Sequence, residues 1–336
     1  MTDRATASAA FLDRAGWGMA TRVHLAGDAS DRRYDRLRLG ARRAVLMDAP
    51  PGKGDDPAQF IAIAQHLSHI GLSAPVCYDR DLINGFLLLE DLGNDLYARL
   101  IPRNPALETQ LYTTAVDVLA HLQSCPPLPD LPNLTATDWA DAAGYALDWY
   151  AFAITDNRPA SADFHATLTD LIQRYADGPR VMILRDYHAE NLLWLPDRIG
   201  LAQVGVLDFQ LGQMGQPGYD LVSLLQDARR DVQATTEAAM KTRFVAATGA
   251  DKAVFEVAYA VLGAQRALRI LGVFARLCLV GAKPGYLPLV PRVWAQLQRN
   301  LSVPTLAPLA KICARLLPEP SPQSLALIGS KCGFYR

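Results

Sequence analysis

The stretch of sequence that decides the fold reads LRDYHAEN at residues 184–191, and VLDF follows at residues 206–209. Asp186 and Asn191 stand five residues apart, and the second, apolar segment carries Asp208. We interpret Asp186 as a base that can accept the proton of an attacking hydroxyl. Asn191 and Asp208 supply the oxygen atoms that a magnesium ion needs to hold nucleotide phosphates. The pattern therefore predicts phosphoryl transfer.

A tight turn is predicted between the two segments, because residues 196–198 read PDR between apolar strands. Such a turn would bring Asp208 back to Asn191. The alternative is a buried loop in which the aspartate and the asparagine only satisfy backbone donors. The spacing, the residue types and the flanking strands all agree, so we favour the catalytic interpretation.

Composition excludes several classes of protein. The chain has 336 residues, 50% of them hydrophobic, and a formal net charge of −1, so nothing favours nucleic acid or an anionic membrane as a partner. Five scattered cysteines without a C-x-x-C pair argue against a disulfide framework or a zinc site. The N-terminus lacks a signal-peptide pattern, and the apolar stretch at residues 257–281 contains arginines. We expect a cytoplasmic protein without an obligate protein partner.

The order of the predicted elements indicates an α+β fold. The first ninety residues predict a small sheet, with strands near residues 36–39, 44–47 and 86–89 and one helix over 57–70. Beyond that point the pattern is helical, apart from short strands that bracket the catalytic motif. We expect a small β-rich nucleotide-binding lobe over residues 1–91 and a larger, mainly helical catalytic and acceptor-binding lobe over residues 92–336.

The motif and its surroundings resemble the aminoglycoside phosphotransferase family, whose members share the two-lobed fold of protein kinases, and the resemblance covers nearly the whole chain. The most similar branch phosphorylates the anomeric hydroxyl of N-acetylmuramate and N-acetylglucosamine in cell-wall recycling. Residues 29–34, 46–51, 271–277 and 283–287 carry that closer similarity. The resemblance implies an enzyme that uses ATP and Mg²⁺ and acts on a small-molecule hydroxyl, most closely that of an amino sugar.

The phosphate-binding residues depart from the general kinase pattern. The loop at residues 27–33 has one glycine, the strand that normally supplies a lysine ends in Met47, and the following helix has no glutamate to pair with such a lysine. We expect the hydroxyl of Ser30, loop amides and the guanidinium of Arg32 or Arg33 to hold the phosphates instead. The alternative is that both arginines are solvated charges at the strand edge.

Three further positions follow from the resemblance. Backbone groups between Glu90 and Leu92 are expected to form the hinge that holds the adenine edge. Asp220 is expected to give structural support by bracing the catalytic loop, a role that is compatible with its being a helix N-cap. Leu184 and Arg185 stand directly before the catalytic aspartate. Many family members have histidine and glycine at these two positions, so Arg185 replaces the glycine.

Acceptor contacts are expected from His188 and from a helix in the second half of the chain. For His188 we prefer loop packing or a substrate contact over a metal or acid–base role. Arg266, Arg269 and Arg276 fall within one broad helical face. Either they form a solvated stripe paired with acids, or one of them meets an acidic group on the acceptor, such as the lactyl carboxylate of N-acetylmuramate.

Two other functions remain open at this point. The same chemistry could act on an aminoglycoside, choline or another small alcohol, but a polycationic aminoglycoside needs a carboxylate-lined pocket, and the arginines argue against one. A nucleotide-binding regulatory protein without turnover would explain Met47 and the glycine-poor loop. The intact set of Asp186, Asn191 and Asp208 argues against that alternative.

Overall fold

The chain folds into two units that alternate along the sequence: residues 1–129 with 184–212, and residues 130–183 with 213–336. The computed structural model describes residues 4–27, 32–52, 54 and 56–335. Within these ranges the strands are, in chain order, β1 (Thr21–Gly27), β2 (Arg33–Leu39), β3 (Arg42–Asp48), β4 (Cys77–Asp81), β5 (Phe86–Leu89), β6 (Val181–Ile183), β7 (Leu192–Trp194), β8 (Val204–Val206) and β9 (Gln213–Gly215).

Two helices lie before or within the run of sheet strands, and most of the others follow it. The helices are α1 (Arg4–Arg14), α2 (Pro57–His69), α3 (Tyr97–Arg103), α4 (Leu107–Ser124), α5 (Ala136–Tyr145), α6 (Phe152–Thr155), α7 (Ala162–Tyr175), α8 (Tyr219–Leu225), α9 (Ala234–Thr248), α10 (Lys252–Leu279), α11 (Val290–Leu301), α12 (Ala307–Leu316) and α13 (Pro322–Ser330). A π-helical turn, Ala146–Ala151, joins α5 to α6.

The first unit is built on a five-stranded antiparallel sheet with the order β1-β2-β3-β5-β4. Every residue of β5 is buried, as its unbroken FLLL sequence predicts for a central strand. Phe86 and Leu88 of β5 pack with Leu46 of β3 and with Phe11 and Leu12 of α1. Helix α1 therefore covers one face of the sheet.

Helix α2 begins and ends where its sequence predicts. The Asp56 side chain caps it by accepting from the amide of Ala58, with Pro57 at the first helical position. Its apolar positions, Phe60, Ile63, Ala64 and Leu67, are all buried.

The second unit is organised around α10. This helix packs on α5, α7 and α11, and most of its residues are buried. A Cβ atom on Gly272 would lie only 2.2 Å from the backbone of Tyr145, so only glycine allows this approach. By length and composition α10 could also cross a membrane, but 72% of its apolar window is buried inside the fold. The core helix of a globular unit looks the same, so this is weak evidence for a membrane span.

The predicted lobe boundary at residue 91 is not a boundary of these units. Residues 92–129 and the catalytic segment belong to the same unit as the sheet. His121 of α4, for example, bonds at 2.7 Å to the carbonyl of Ile70, which caps α2 in that unit. The division into a nucleotide-binding half and an acceptor-binding half stays a prediction.

Candidate active site

A short hairpin positions the two candidate metal ligands. Strands β7 and β8 pair antiparallel with Leu192 opposite Val206, and the amide of Leu207 donates to the carbonyl of Asn191 at 2.9 Å. Asp208 follows Leu207 directly, so it lies at the same end of the hairpin as Asn191. The predicted return turn is present, closed by a bond from the amide of Arg198 to the carbonyl of Leu195.

Backbone bonds hold this hairpin along both of its edges within the first unit. On one edge the amide of Trp194 donates to the carbonyl of Asp95 at 2.8 Å. On the other, the amide of Val206 donates to the carbonyl of Ser73 at 2.7 Å, and the Ser73 hydroxyl donates to the carbonyl of Ala202 at 2.6 Å. The end that carries Asn191 is therefore fixed by main-chain geometry.

The loop before the hairpin presents Asp186. Arg185 has a φ of 71°, and the amide of Asp186 donates back to the carbonyl of Leu184 at 2.9 Å, which closes a tight three-residue turn. A positive φ is costly for a residue with a side chain, and this explains why a glycine is common at this position in the family that the motif resembles. Strain of this kind concentrates at functional sites.

Asn191 couples the loop to the hairpin. Its side-chain Nδ2 donates to the carbonyl of Asp186 at 2.9 Å. The nitrogen is thereby committed to the loop, which leaves Oδ1 as the atom that can bind a cation. Asp186 itself is partly exposed, and among the described residues no hydrogen bond engages its carboxylate. That carboxylate can accept a proton.

Asp208 adopts a left-handed backbone, with a φ of 55°. Its Oδ1 accepts from Nε2 of Gln210 at 2.9 Å and from Nη2 of Arg32 at 3.3 Å. The next residue, Phe209, is fully buried and stacks on Phe60 of α2 with 4.8 Å between ring centroids. The buried ring fixes the direction of the strained segment, so that Asp208 projects beside Arg32.

The donor set fits magnesium bound together with a nucleotide. Asn191 offers an amide oxygen and Asp208 a carboxylate, which are hard oxygen ligands. Within the described part of the chain, no group of three or more His, Cys, Asp or Glu side chains could hold a metal ion by itself. Magnesium commonly takes one or two protein ligands and completes its shell with phosphates and water, so this sparse pair is what a nucleotide-bound ion requires.

The structure separates the two candidate phosphate-binding arginines. Arg32 is 5% exposed and contacts Asp208, whereas Arg33 is exposed at the start of β2. Met47, at the position of the usual lysine, is buried. Ser30, the third predicted phosphate contact, lies outside the described residues. Arg32 is the only one of these three residues that the described structure brings to the site.

The predicted hinge is tied to the hairpin by a side chain. The backbone amide of Glu90 donates to the carbonyl of Val76, and the Glu90 carboxylate pairs with Arg198 at 2.5 Å. A Cβ atom on Gly205 of β8 would lie 3.2 Å from the Leu92 side chain, so the hinge packs closely on the hairpin. Sequence reasoning assigned no role to the Glu90 carboxylate, because its partner lies 108 residues away.

His188 lies buried under the loop. Its carbonyl accepts from the amide of Asn191 at 2.8 Å, and its Nε2 lies 3.4 Å from Nδ2 of Asn191. This position suits the predicted packing role.

The three arginines predicted to contact the acceptor belong to the second unit and have three different environments. Arg266 is buried and donates to the Ser223 hydroxyl at 2.9 Å, Arg269 is partly buried, and Arg276 is exposed above the ring of Trp149. A common solvated stripe is therefore wrong for Arg266, because the helix is buried on more sides than its charge pattern predicts. Asp220 lies in the first turn of α8 and is fully buried.

Comparison with known proteins identifies the class. The sequence model of the family described as "Phosphotransferase enzyme family" matches residues 21–256. The N-acetylmuramate/N-acetylglucosamine kinase of Caulobacter vibrioides is 37% identical over 94% of this chain and 98% of its own length. The enzyme of the same name from Pseudomonas aeruginosa is 32% identical, over 90% of this chain and 91% of its own. The chain belongs to the phosphotransferase enzyme family, and it is a small-molecule kinase.

Solved structures confirm the fold. A thermostable mutant of aminoglycoside phosphotransferase APH(4)-Ia, in a complex with AMP-PNP and hygromycin B, superimposes with a TM-score of 0.58 at 13% identity and covers 89% of this chain and 99% of that one. The predicted two-lobed α+β kinase fold and the family resemblance are both confirmed.

Proposed function

We propose that this enzyme transfers the γ-phosphate of ATP to the anomeric hydroxyl of N-acetylmuramate or N-acetylglucosamine. The observation that carries the chemistry is the hairpin, which sets Asn191 and Asp208 at the end that is bonded to the Asp186 loop. The acceptor is inferred from the two bacterial relatives, whose similarity extends over nearly the whole chain. The proposal includes a cytoplasmic location and a role in cell-wall recycling.

In this proposal Asp186 orients the acceptor hydroxyl and accepts its proton. The bond from Asn191 to the Asp186 carbonyl fixes the loop, so the carboxylate is held in place before the acceptor arrives. Magnesium and ATP, when bound, supply the phosphoryl group and the charge that offsets its negative oxygens. Asn191 and Asp208 would hold the ion through Oδ1 and the carboxylate.

Arg32 takes the place of the missing lysine. Its guanidinium lies against Asp208 and balances that charge. A guanidinium suits a phosphate, because its five donors form a planar fork that matches phosphate oxygens. Loop amides and Ser30 would complete the phosphate contacts.

The adenine would bind to backbone groups of the hinge. The amide of Glu90 is already bonded to Val76, so the carbonyl of Glu90 and the amide of Leu92 are the groups we assign to the purine edge. The Glu90–Arg198 ion pair would hold this segment at a fixed distance from the hairpin.

A panel of acceptors tests the proposal. The purified enzyme would be given ATP and Mg²⁺ with N-acetylmuramate, N-acetylglucosamine, an aminoglycoside or choline, and ADP release would be measured. We expect ADP release with the two amino sugars. Turnover of only the aminoglycoside or choline would overturn the acceptor, and nucleotide binding without transfer to any acceptor would favour the regulatory alternative.

A further inference from the structure

The segment after β5 crosses from the sheet to the catalytic hairpin, within the first unit. At its start the amide of Glu90 donates to the carbonyl of Val76. At its end the carbonyl of Asp95 accepts from the amide of Trp194. Residues 91–94, between these two points, belong to no helix or strand. This crossing contains the backbone groups that we assign to the adenine edge.

One side chain binds the middle of the crossing. Nη2 of Arg36, on β2, donates to Oδ1 of Asp91 and to the carbonyl of Gly93, both at 2.8 Å. Its Nη1 donates to Oδ1 of Asn94 at 2.6 Å. The Asp91 carboxylate also accepts from the amide of Gly93 at 3.0 Å. Among the described residues, every hydrogen bond of the Arg36 guanidinium goes to residues 91–94.

The ion pair of Arg36 and Asp91 is shielded from solvent. The Asp91 side chain is 4% exposed and the Arg36 side chain 12%. Water therefore screens this pair little, and its hydrogen bonds hold the crossing more firmly than an exposed pair could. Loss of either side chain would leave the other charge buried without compensation, which disrupts the crossing.

The same stretch of chain carries the cation beside the proposed metal ligand. Side chains alternate along extended chain, so Arg32 and Arg36 share one face of the sheet and Leu37 lies on the other. Leu37 packs with Phe11 of α1, which covers that other face. Arg32 contacts Asp208. Because four residues of extended chain span about 13 Å, the two arginines act on different parts of a bound nucleotide.

We propose that Arg36 is a positioning residue for the nucleotide. Through Asp91 it holds the carbonyl of Glu90 and the amide of Leu92 in the geometry that binds adenine, before ATP arrives. The inference rests on the proposed function and deepens its account of nucleotide binding. Arg36 acts through Asp91 rather than by touching the nucleotide, because a hinge that is already ordered loses less conformational entropy on binding.

Two fragments of ATP test the two ends of the site separately. Adenosine has the purine without phosphates, and inorganic triphosphate with Mg²⁺ has the phosphates alone. Each would displace a fluorescent ATP analogue from the full chain. Arg36→Gln should weaken adenosine about five- to thirtyfold, the equivalent of ordering the backbone of one residue. Its affinity for triphosphate should stay within about twofold of the parent value. Arg32→Ala should show the opposite pattern.

Kinetics and a conservative variant distinguish positioning from a general loss of structure. Arg36→Gln should raise the KM for ATP and leave kcat close to that of the parent, because the catalytic loop keeps its own bonds. Arg36→Lys keeps the charge without the fork and should restore part of the adenosine affinity. Asp91→Asn should weaken adenosine in the same direction as Arg36→Gln, because the pair loses its charge.

A second ion pair of the same sheet provides the matched control. Arg22 of β1 pairs with Asp35 of β2, and their side chains are 37% and 23% exposed. Arg22→Gln removes an arginine from the same sheet without touching the hinge. It should change neither the adenosine nor the triphosphate affinity.

The outcomes separate this inference from the proposed function. Unchanged adenosine affinity in Arg36→Gln, or an equal loss for adenosine and triphosphate, overturns the role of Arg36 and leaves the proposed function standing. A parent that binds ATP but not adenosine overturns the hinge assignment, and the inference with it. A parent that neither binds ATP nor transfers its phosphate overturns both. If Arg36→Gln does not fold, Arg36→Lys and Asp91→Asn decide the question.

Discussion

The pair of Arg32 and Asp208 gives the most informative perturbation of the nucleotide site. We expect Arg32→Ala to weaken ATP binding, because the variant lacks the guanidinium that contacts Asp208, the proposed metal ligand. A hydrogen bond from a charged group to phosphate contributes about 1.5–3 kcal/mol, which corresponds to about a ten- to hundredfold rise in the Kd for ATP. Asp208 is 26% exposed, so solvent screening argues for the lower half of that range.

Arg33→Ala is the matched control, since Arg33 is the next residue, the first of β2, and is exposed. It should change the Kd for ATP by less than about twofold. Titration of a fluorescent ATP analogue with the two variants and the parent gives the comparison directly. Magnesium dependence adds a second signature. In the proposed site Arg32 and Mg²⁺ would share Asp208, so Arg32→Ala should need no more Mg²⁺ than the parent.

Thermal unfolding without nucleotide separates binding from structure. A lower melting temperature for Arg32→Ala is compatible both with a role in nucleotide binding and with a purely structural role, since a buried arginine is lost in either case. A lower melting temperature combined with an unchanged Kd for ATP would refute the reasoning. Backbone amides and magnesium alone would then hold the phosphates.

Three further substitutions test the catalytic loop. Asp186→Asn should lower turnover by about 10²–10⁴-fold with little change in ATP affinity. Asp197→Asn in the hairpin turn is the control and should have no effect. Near-normal turnover of Asp186→Asn would show that Asp186 is not the base. Asp208→Ala should weaken the binding of magnesium-ATP, and added Mg²⁺ should not restore full activity; calorimetry that gives the parent affinity would contradict its role as a ligand. Arg185→Gly should be more stable to thermal unfolding than Arg185→Ala by about 1 kcal/mol. Both variants lose the arginine side chain, but only glycine relieves the strain of the positive φ. Equal stabilities of the two variants would show that the turn is not strained.

The sequence predicted those parts of the fold that show a clear hydrophobic period or a helix-capping residue. Helix α2 follows from its aspartate cap, its proline and its apolar face, and the catalytic hairpin follows from two apolar strands around a turn. By contrast, β1 is an edge strand whose described side chains, from Thr21 to Leu25, are all exposed. Without a buried face the strand shows no burial alternation, and it was missed. Helix α1 was missed as well, because it buries only Ser8, Phe11 and Leu12.

The site was predictable to the extent that its residues are close in sequence. The spacing of Asp186, Asn191 and Asp208 is local and identified the loop. The contact between Arg32 and Asp208 spans 176 positions, so the sequence left Arg32 and Arg33 equivalent and burial alone distinguishes them.

The most direct test of the account is the phosphorus NMR spectrum of the product formed from ATP, Mg²⁺ and N-acetylmuramate. We predict a new sugar-phosphate resonance, a doublet coupled to the anomeric proton, that grows as ADP accumulates with the parent and is lost with Asp186→Asn. A phosphate signal coupled to a proton at another ring position, or inorganic phosphate as the only new species, would contradict the central claim.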